Sequence, residues 1–121
     1  MSKADDLHLI LDRASEIRLS VKGRKSGRDI PRPVWFVYEG KTVYLLPNYG
    51  SDTKWYKNFL VDPTLKISVS GGGGGEEEMS VKGKSITDSN RVNDIYRKFD
   101  SKYGGVKRYY PKVDVAVEVP L

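Results

Sequence analysis

Three groups of side chains in this sequence have types and spacing suited to chemistry. The first is the segment Gly23-Arg24-Lys25-Ser26-Gly27-Arg28, inside a stretch from Arg18 to Arg32 that holds six basic residues (Arg18, Lys22, Arg24, Lys25, Arg28, Arg32) and one acid, Asp29. Its two glycines let backbone N–H groups turn inward, Ser26 adds a hydroxyl donor, and Arg24, Lys25 and Arg28 offer charge-assisted bonds to phosphate oxygens. Such a segment is either an anion site or an exposed basic hairpin loop that keeps the chain in solution. The second group is Lys54-Trp55-Tyr56-Lys57-Asn58-Phe59. It reads as a helix whose N-terminal N–H groups and positive dipole end also favour an anion. The third is drawn from the eight tyrosines: Tyr38, Tyr44, Tyr96 and Tyr103 fall in core patterns, while Tyr49, Tyr109 and Tyr110 fall in polar loops. A loop phenol can stack on a ring or donate a proton, or it is simply an exposed aromatic.

Other chemistry is poorly provided for. The chain has no cysteine and a single histidine, His8. Disulfides, thiolate metal sites and cysteine nucleophiles are therefore excluded, and a serine triad would have to pass through His8 with no nucleophile elbow in sight. His8 reads as a surface residue on the polar side of a first helix. Glu76, Glu77 and Glu78 alternate between the faces of a strand and do not converge on a cation, so no metal is implied. Gly71 to Gly75 is a hairpin tip without the Lys-Ser/Thr of a phosphate loop, and it receives no function. A chain so short of reactive side chains suits a reaction carried by an organic cofactor, with the protein supplying binding and orientation.

The elements that must position these groups can be read from periodicity. Leu7, Ile10, Leu11 and Ala14 have helical spacing, which predicts a helix over Ala4 to Ala14. Ile17, Leu19 and Val21 alternate with Arg18, Ser20 and Lys22, the period of a half-buried strand. A second strand spans Ile30 to Tyr38, where Pro31 and Pro33 demand an edge or a bulge. Glu39-Gly40-Lys41 turns the chain into a strand over Thr42 to Pro47. Ser51 or Asp52 caps a helix that ends near Val61. Leu65, Ile67 and Val69 form the next strand, and Met79, Val81 and Ile86 another. Thr87 or Asp88 caps a helix with Val92, Ile95, Tyr96, Phe99 and Tyr103 on its apolar face. The strict alternation of Val113, Val115, Val117 and Val119 closes the chain as a core strand.

The order of the motifs resembles the deazaflavin-dependent nitroreductase branch of the flavin-type split-barrel proteins, relatives of pyridoxamine phosphate oxidase. That pattern is a Gly-Arg-Lys-Ser/Thr-Gly loop, a Pro plus an aliphatic residue, a Trp-Tyr-x-Asn-Leu helix and an Asn/Asp-Pro before the next strand. Gly23 to Gly27, Pro33-Val34, Trp55-Tyr56-Lys57-Asn58-Phe59 and Asp62-Pro63 match it. The resemblance runs from about Ile17 to Val69 and implies a mainly β fold, a six-stranded antiparallel split β-barrel with flanking helices, as a single domain over residues 1–121. It implies a deazaflavin coenzyme or FMN as cofactor. Arg24, Lys25, Ser26, Gly27 and Arg28 would hold the phosphate-bearing tail, Pro33, Val34 and Trp35 would face the ring edge, and Lys54, Trp55 and Asn58 would complete the pocket. Tyr109 and Tyr110 would serve as substrate or proton contacts. A further basic residue of the family pattern falls at Ile30 here, which leaves Arg28 or Arg32 to substitute for it.

The implied activity is hydride transfer to a small unsaturated acceptor such as a nitroaromatic, quinone or enone. A non-enzymatic flavin carrier is the alternative. Net charge of +5 also raises nucleic-acid binding through the basic loop, a lesser reading because no zinc spacing or RNA motif accompanies the charge. Family members often build the site near a dimer interface, so a homodimer is compatible. Hydrophobic residues at 38% and charged residues at 31% describe a globular chain. The polar start Met1-Ser2-Lys3-Ala4-Asp5-Asp6 and the want of a long apolar run predict no membrane span and a cytoplasmic location.

Overall fold

A computed structural model describes Leu11, residues 14–70 and residues 76–121. In chain order the elements are β1 (Ile17–Lys22), β2 (Asp29–Val34), β3 (Val37–Glu39), β4 (Thr42–Leu45), α1 (Lys54–Val61), β5 (Thr64–Ser70), β6 (Glu76–Lys82), β7 (Lys84–Ile86), α2 (Ser89–Tyr103) and β8 (Ala116–Pro120). Short 3-10 turns lie at Gly50–Asp52 and Val106–Arg108. The predicted helix over Ala4 to Ala14 lies outside the described residues except for Leu11, which is helical and buried in the core, and Ala14, which packs against that core. His8 and Gly71 to Gly75 also lie outside them.

The strands form two four-stranded antiparallel sheets, ordered β2-β1-β5-β6 and β3-β4-β8-β7. Eight strand segments replace the six expected, and no sheet closes into a barrel among the described residues. The excess has a physical cause. Two long runs are each broken, and their halves pair in different sheets.

The first break falls at Trp35 and Phe36, inside the strand expected over Ile30 to Tyr38. There the Phe36 N–H donates to the Tyr103 hydroxyl at 3.0 Å, and the Phe36 carbonyl accepts from Lys102 Nζ at 2.8 Å. The backbone groups of Phe36 are thus satisfied by side chains of α2, and the chain leaves one ladder for the other. The Lys102 ammonium also sits 3.8 Å from the centroid of the Phe36 ring. The second break is at Gly83. A Cβ at that position would stand 3.0 Å from both Phe59 and Val117 side chains, so any larger residue would press on the core at this crossing.

The main core lies between the sheets. Ile17, Leu19 and Val21 of β1, Leu65, Ile67 and Val69 of β5, and Val117 and Val119 of β8 supply it, as their alternation requires. A second core forms where Val92, Ile95 and Phe99 of α2 cover the outer face of the β3-β4-β8-β7 sheet, against Val37, Ile86 and Ala116. Asp88 caps α2 as expected, its carboxylate accepting from Arg91 N–H at 3.0 Å. The turn into β4 holds Gly40 at φ 58 and Lys41 at φ 61, the pair of positive values that a tight hairpin needs. The final strand begins later than its valines suggest. Val115, Val117 and Val119 join the main core, but Val113 precedes β8 and packs with the α2 cluster. Among the described residues no helix is long and apolar enough to cross a membrane.

Candidate functional site

Strand β2 is an edge strand, so its outer side has no strand partner and Pro31 and Pro33 are tolerated there. Two adjoining cavities lie beside it and share Pro33, Val34 and Asn48. Together they make one groove. The first cavity, of about 390 Å³, adds Arg32, Tyr49, Asp52, Lys54 and Trp55. The second, of about 240 Å³, adds Glu16, Trp35, Tyr109 and Tyr110.

The groove is polar in the electrical sense. At one end stand two cations, Arg32 and Lys54, and the one carboxylate there, Asp52, is occupied by Lys112 at 2.8 Å. Arg32 Nε is buried and has no hydrogen-bond partner. Burial lowers the pKa of this guanidinium from its ordinary value, yet arginine remains charged in proteins, so Arg32 brings a fixed positive charge to this end of the groove. At the other end stand one acid, Glu16, and a group of aromatic rings. Trp35 stacks on Tyr103 with ring centroids 4.4 Å apart and planes 9° apart, and meets Tyr109 edge-on at 5.0 Å. Tyr110 lies 6.3 Å from Trp35, is 5% exposed, and has its phenol pushed well up by burial. It therefore stays a hydrogen-bond donor at neutral pH.

The basic loop is built differently from its sequence reading. Gly27 at φ 69 and the bonds Gly27 N–H to Gly23 carbonyl (2.9 Å) and Gly23 N–H to Arg28 carbonyl (2.8 Å) fold it back on itself. Ser26 Oγ accepts from Arg28 N–H at 3.2 Å. Arg24 is committed to the helix: its N–H and its Nη1 both donate to Asn58 Oδ1, at 3.3 and 2.8 Å. Asn58 is buried, and its amide oxygen holds the loop instead of facing the groove. Of the predicted site residues, Pro33, Val34, Trp35, Lys54, Trp55, Tyr109 and Tyr110 line the groove. Arg24, Lys25, Ser26, Gly27, Arg28 and Asn58 do not line these cavities. Asn58 lies one helical turn from Lys54 on α1, and through it Arg24 is tied to the helix that supplies the positive end.

Several lining residues carry no signal in the sequence, among them Glu16, Asn48 and Thr53. Arg32 appears there only as a substitute for a missing basic residue, and Tyr49 only as one of three loop tyrosines. The helix cap is also revised: α1 starts after Thr53, whose hydroxyl accepts from Tyr49 N–H at 2.8 Å and makes no cap bond, while Ser51 and Asp52 sit in the preceding 3-10 turn. Ser51 N–H and Oγ donate to Asp114 at 2.8 and 2.6 Å, and Lys112 bridges to Asp52, so the wall from Asn48 to Thr53 is tied to the wall that carries Tyr109 and Tyr110.

Among solved structures, the Agrobacterium tumefaciens protein Atu2129 superimposes with a TM-score of 0.78 at 14% identity, covering 99% of this chain and 54% of its own. The chain thus spans about half the length of that protein. An F420-H2 dependent reductase, FDR-A, aligns with a TM-score of 0.65 at 18% identity over 87% of this chain and 93% of its own. A candidate pyridoxamine 5′-phosphate oxidase from Listeria innocua aligns with a TM-score of 0.71 at 14% identity over 98% and 92%. At these identities the likeness is one of fold: a mainly β architecture of two antiparallel sheets with flanking helices, as in the pyridoxamine phosphate oxidase-like split-barrel proteins. No curated protein matches by sequence. One family model does, that of DUF2255, described as an uncharacterized protein conserved in bacteria, and because it matches residues 7–118 of this 121-residue chain, the chain belongs to that family.

Proposed function

We propose that the groove along β2 binds a phosphorylated flavin-type cofactor, deazaflavin or FMN, and that the protein is an oxidoreductase acting on a small unsaturated acceptor. The observation that carries this reading is the pair of cations, Arg32 and Lys54, at one end of a groove whose far end is aromatic. An anionic tail joined to a flat ring is the ligand that such a groove complements. The solved F420-dependent reductase and pyridoxamine phosphate oxidase-like neighbours support the same reading through their fold.

In this arrangement Arg32 and Lys54 hold the tail, with Lys25 and Arg28 placed to extend the contact beyond the groove. Pro33 and Val34 set the floor, and Trp35, fixed by Tyr103, sets the aromatic wall. When bound, the cofactor supplies the hydride chemistry that the side chains cannot. Tyr110 donates a proton or hydrogen bond to the acceptor, and Tyr109 covers it. Residues 1–121 act as one cofactor-binding domain. A homodimer is part of the proposal, supported by Tyr49 and Tyr109, 63% and 48% exposed on the groove rim.

The test is titration of the purified protein with FMN and with the deazaflavin coenzyme, followed by visible absorbance. A saturable spectral change that Arg32→Met weakens supports the assignment. Unchanged spectra with both cofactors overturn it.

A further inference from the structure

We propose that the chain carries a second small-molecule site, for a flat aromatic carboxylate, in the cavity of about 580 Å³ between α2 and the segment from Lys107 to Asp114. Its volume lies in the range of ligand pockets, about 300 to 1,000 Å³. Two phenol rings, Tyr96 from α2 and Tyr110 from the loop, line it together with the apolar Val92, Pro111 and Val113. Two aromatic rings over an aliphatic floor suit a flat ring.

Its charge selects the substituent. The two ionisable groups in the lining besides the tyrosines are Lys107 and Asp114. Asp114 is already committed, accepting two hydrogen bonds from Ser51 and standing 3.9 Å from Lys112. Lys107 makes no ion pair among the described residues, so the cavity presents one ammonium without an ion-pair partner, with Asn93 and Ser89 as neutral polar groups beside it, while the Asp114 carboxylate of the same lining is turned to Ser51 and Lys112. A single carboxylate on an aromatic ring satisfies that lysine. A cationic or neutral ligand leaves it unmatched.

This site is separate from the groove along β2. The two share Tyr110 as a wall but use different cations, Lys107 here and Arg32 with Lys54 there. The proposal does not rest on the cofactor reading.

The probes are 2-naphthoate and its neutral counterpart 2-naphthamide, titrated into uniformly 15N-labelled protein with no cofactor added. Saturable amide shifts centred on Tyr96, Lys107 and Tyr110 are expected with the carboxylate. Lys107→Met should weaken that binding about five-fold, the factor of an ordinary solvent-exposed charge pair, while leaving 2-naphthamide binding unchanged. Asn93→Trp, which fills the cavity from the exposed side of α2, should abolish binding of both probes. No saturable shift up to the solubility limit overturns the proposal. So does equal affinity for the two probes in the wild type, or Lys107→Met that melts like the wild type and binds 2-naphthoate as tightly.

Discussion

Ser51 and Asp114, 63 residues apart in sequence, are joined by two hydrogen bonds, the Ser51 N–H and hydroxyl donating to the two carboxylate oxygens at 2.8 and 2.6 Å. Lys112 adds an ion pair to Asp52 at 2.8 Å, and Tyr49 pairs with Lys112 through an isolated backbone bridge. These bonds tie the loop before α1 to the segment after α2. The first supplies the Asn48 to Thr53 wall of the groove and the second supplies Tyr109 and Tyr110. The width of the groove is therefore set by a polar tie between two loops, while Trp35, held by Tyr103, fixes its aromatic wall.

Breaking that tie should have a modest global cost and a larger local one. Asp114 is well exposed, so Asp114→Ala should lower stability by only about 0.5 to 1.5 kcal/mol in urea denaturation. Amide exchange in residues 48–53 and 109–114 should accelerate more than in β1 or β5. Uniform acceleration across the chain would show that the bonds serve the whole fold and not the groove.

Gly50 makes a sharper test. It holds φ at +57, and a Cβ there would lie 2.1 Å from Asp114 Oδ1 and 3.1 Å from the Lys112 carbonyl. The carboxylate can swing aside, but the backbone carbonyl cannot. Gly50→Ala should cost about 1 to 3 kcal/mol and remove the protection of the same two loops. A variant that melts with the wild type would mean that the loops are not held this closely.

The tie should respond to acid with a definite sign. For Asp114, burial pulls the carboxyl pKa up, but the Ser51 bonds and Lys112 outweigh it, and the net position is below the ordinary value. Asp52 is lowered chiefly by its hydrogen bond to Lys112. A depressed carboxyl contributes stability that is present above the unfolded pKa of about 3.9 and is lost as pH falls through the lower folded pKa. The melting temperature of wild type should thus exceed that of Asp114→Asn at about pH 6, and the two should converge at about pH 2.5. A constant difference across that range would show that the charge of Asp114 is irrelevant to the tie.

The elements built by local chemistry were legible in the sequence. Ile17, Leu19 and Val21 alternate because one face of β1 is buried, Asp88 caps α2 three residues before the N–H that it accepts, and Gly40-Lys41 marks its hairpin. What escaped was built by distant partners. The break at Phe36 is made by Lys102 and Tyr103, 66 and 67 residues away, and nothing in the run from Ile30 to Tyr38 announces it. Arg24 reads as a phosphate ligand because its neighbours are basic, yet a buried amide 34 residues on claims it. Arg32 stood out less, since its unmatched Nε exists only once β2 lies at an edge with α1 beside it.

On the proposed reading, these placements separate two parts of the cofactor. Arg32 lines the groove itself, so Arg32→Met should weaken FMN and the deazaflavin coenzyme alike, by about 1.5 to 3 kcal/mol for a lost charge-assisted bond. Lys25 and Arg28 lie on the loop beyond the groove. Replacing both with Ala should hardly change FMN binding but should weaken the deazaflavin coenzyme, whose longer anionic tail can reach them. Absorbance titrations of the two variants with the two cofactors decide it, and equal losses for both cofactors in the double variant would place the loop on the short phosphate instead.

The last expectation separates an enzyme from a carrier. Tyr110 is buried between Trp35 and Phe99, 5.8 Å from the latter ring, and its phenol is held protonated by burial, whereas Tyr109 is half open on the rim. If Tyr110 serves the acceptor, Tyr110→Phe should slow anaerobic reoxidation of protein-bound reduced cofactor by a nitroaromatic, quinone or enone while leaving cofactor affinity nearly unchanged, the pattern of an interaction made mainly in the transition state. The rate should also stay flat between about pH 8 and pH 10, because a phenol raised above its ordinary value of about 10 does not ionise there. Tyr109→Phe keeps the ring that packs edge-on against Trp35, so it should alter acceptor affinity more than the rate of the step. Bound reduced cofactor that reoxidises more slowly than free cofactor with every acceptor class would identify a carrier, and Tyr110 would then be a packing residue.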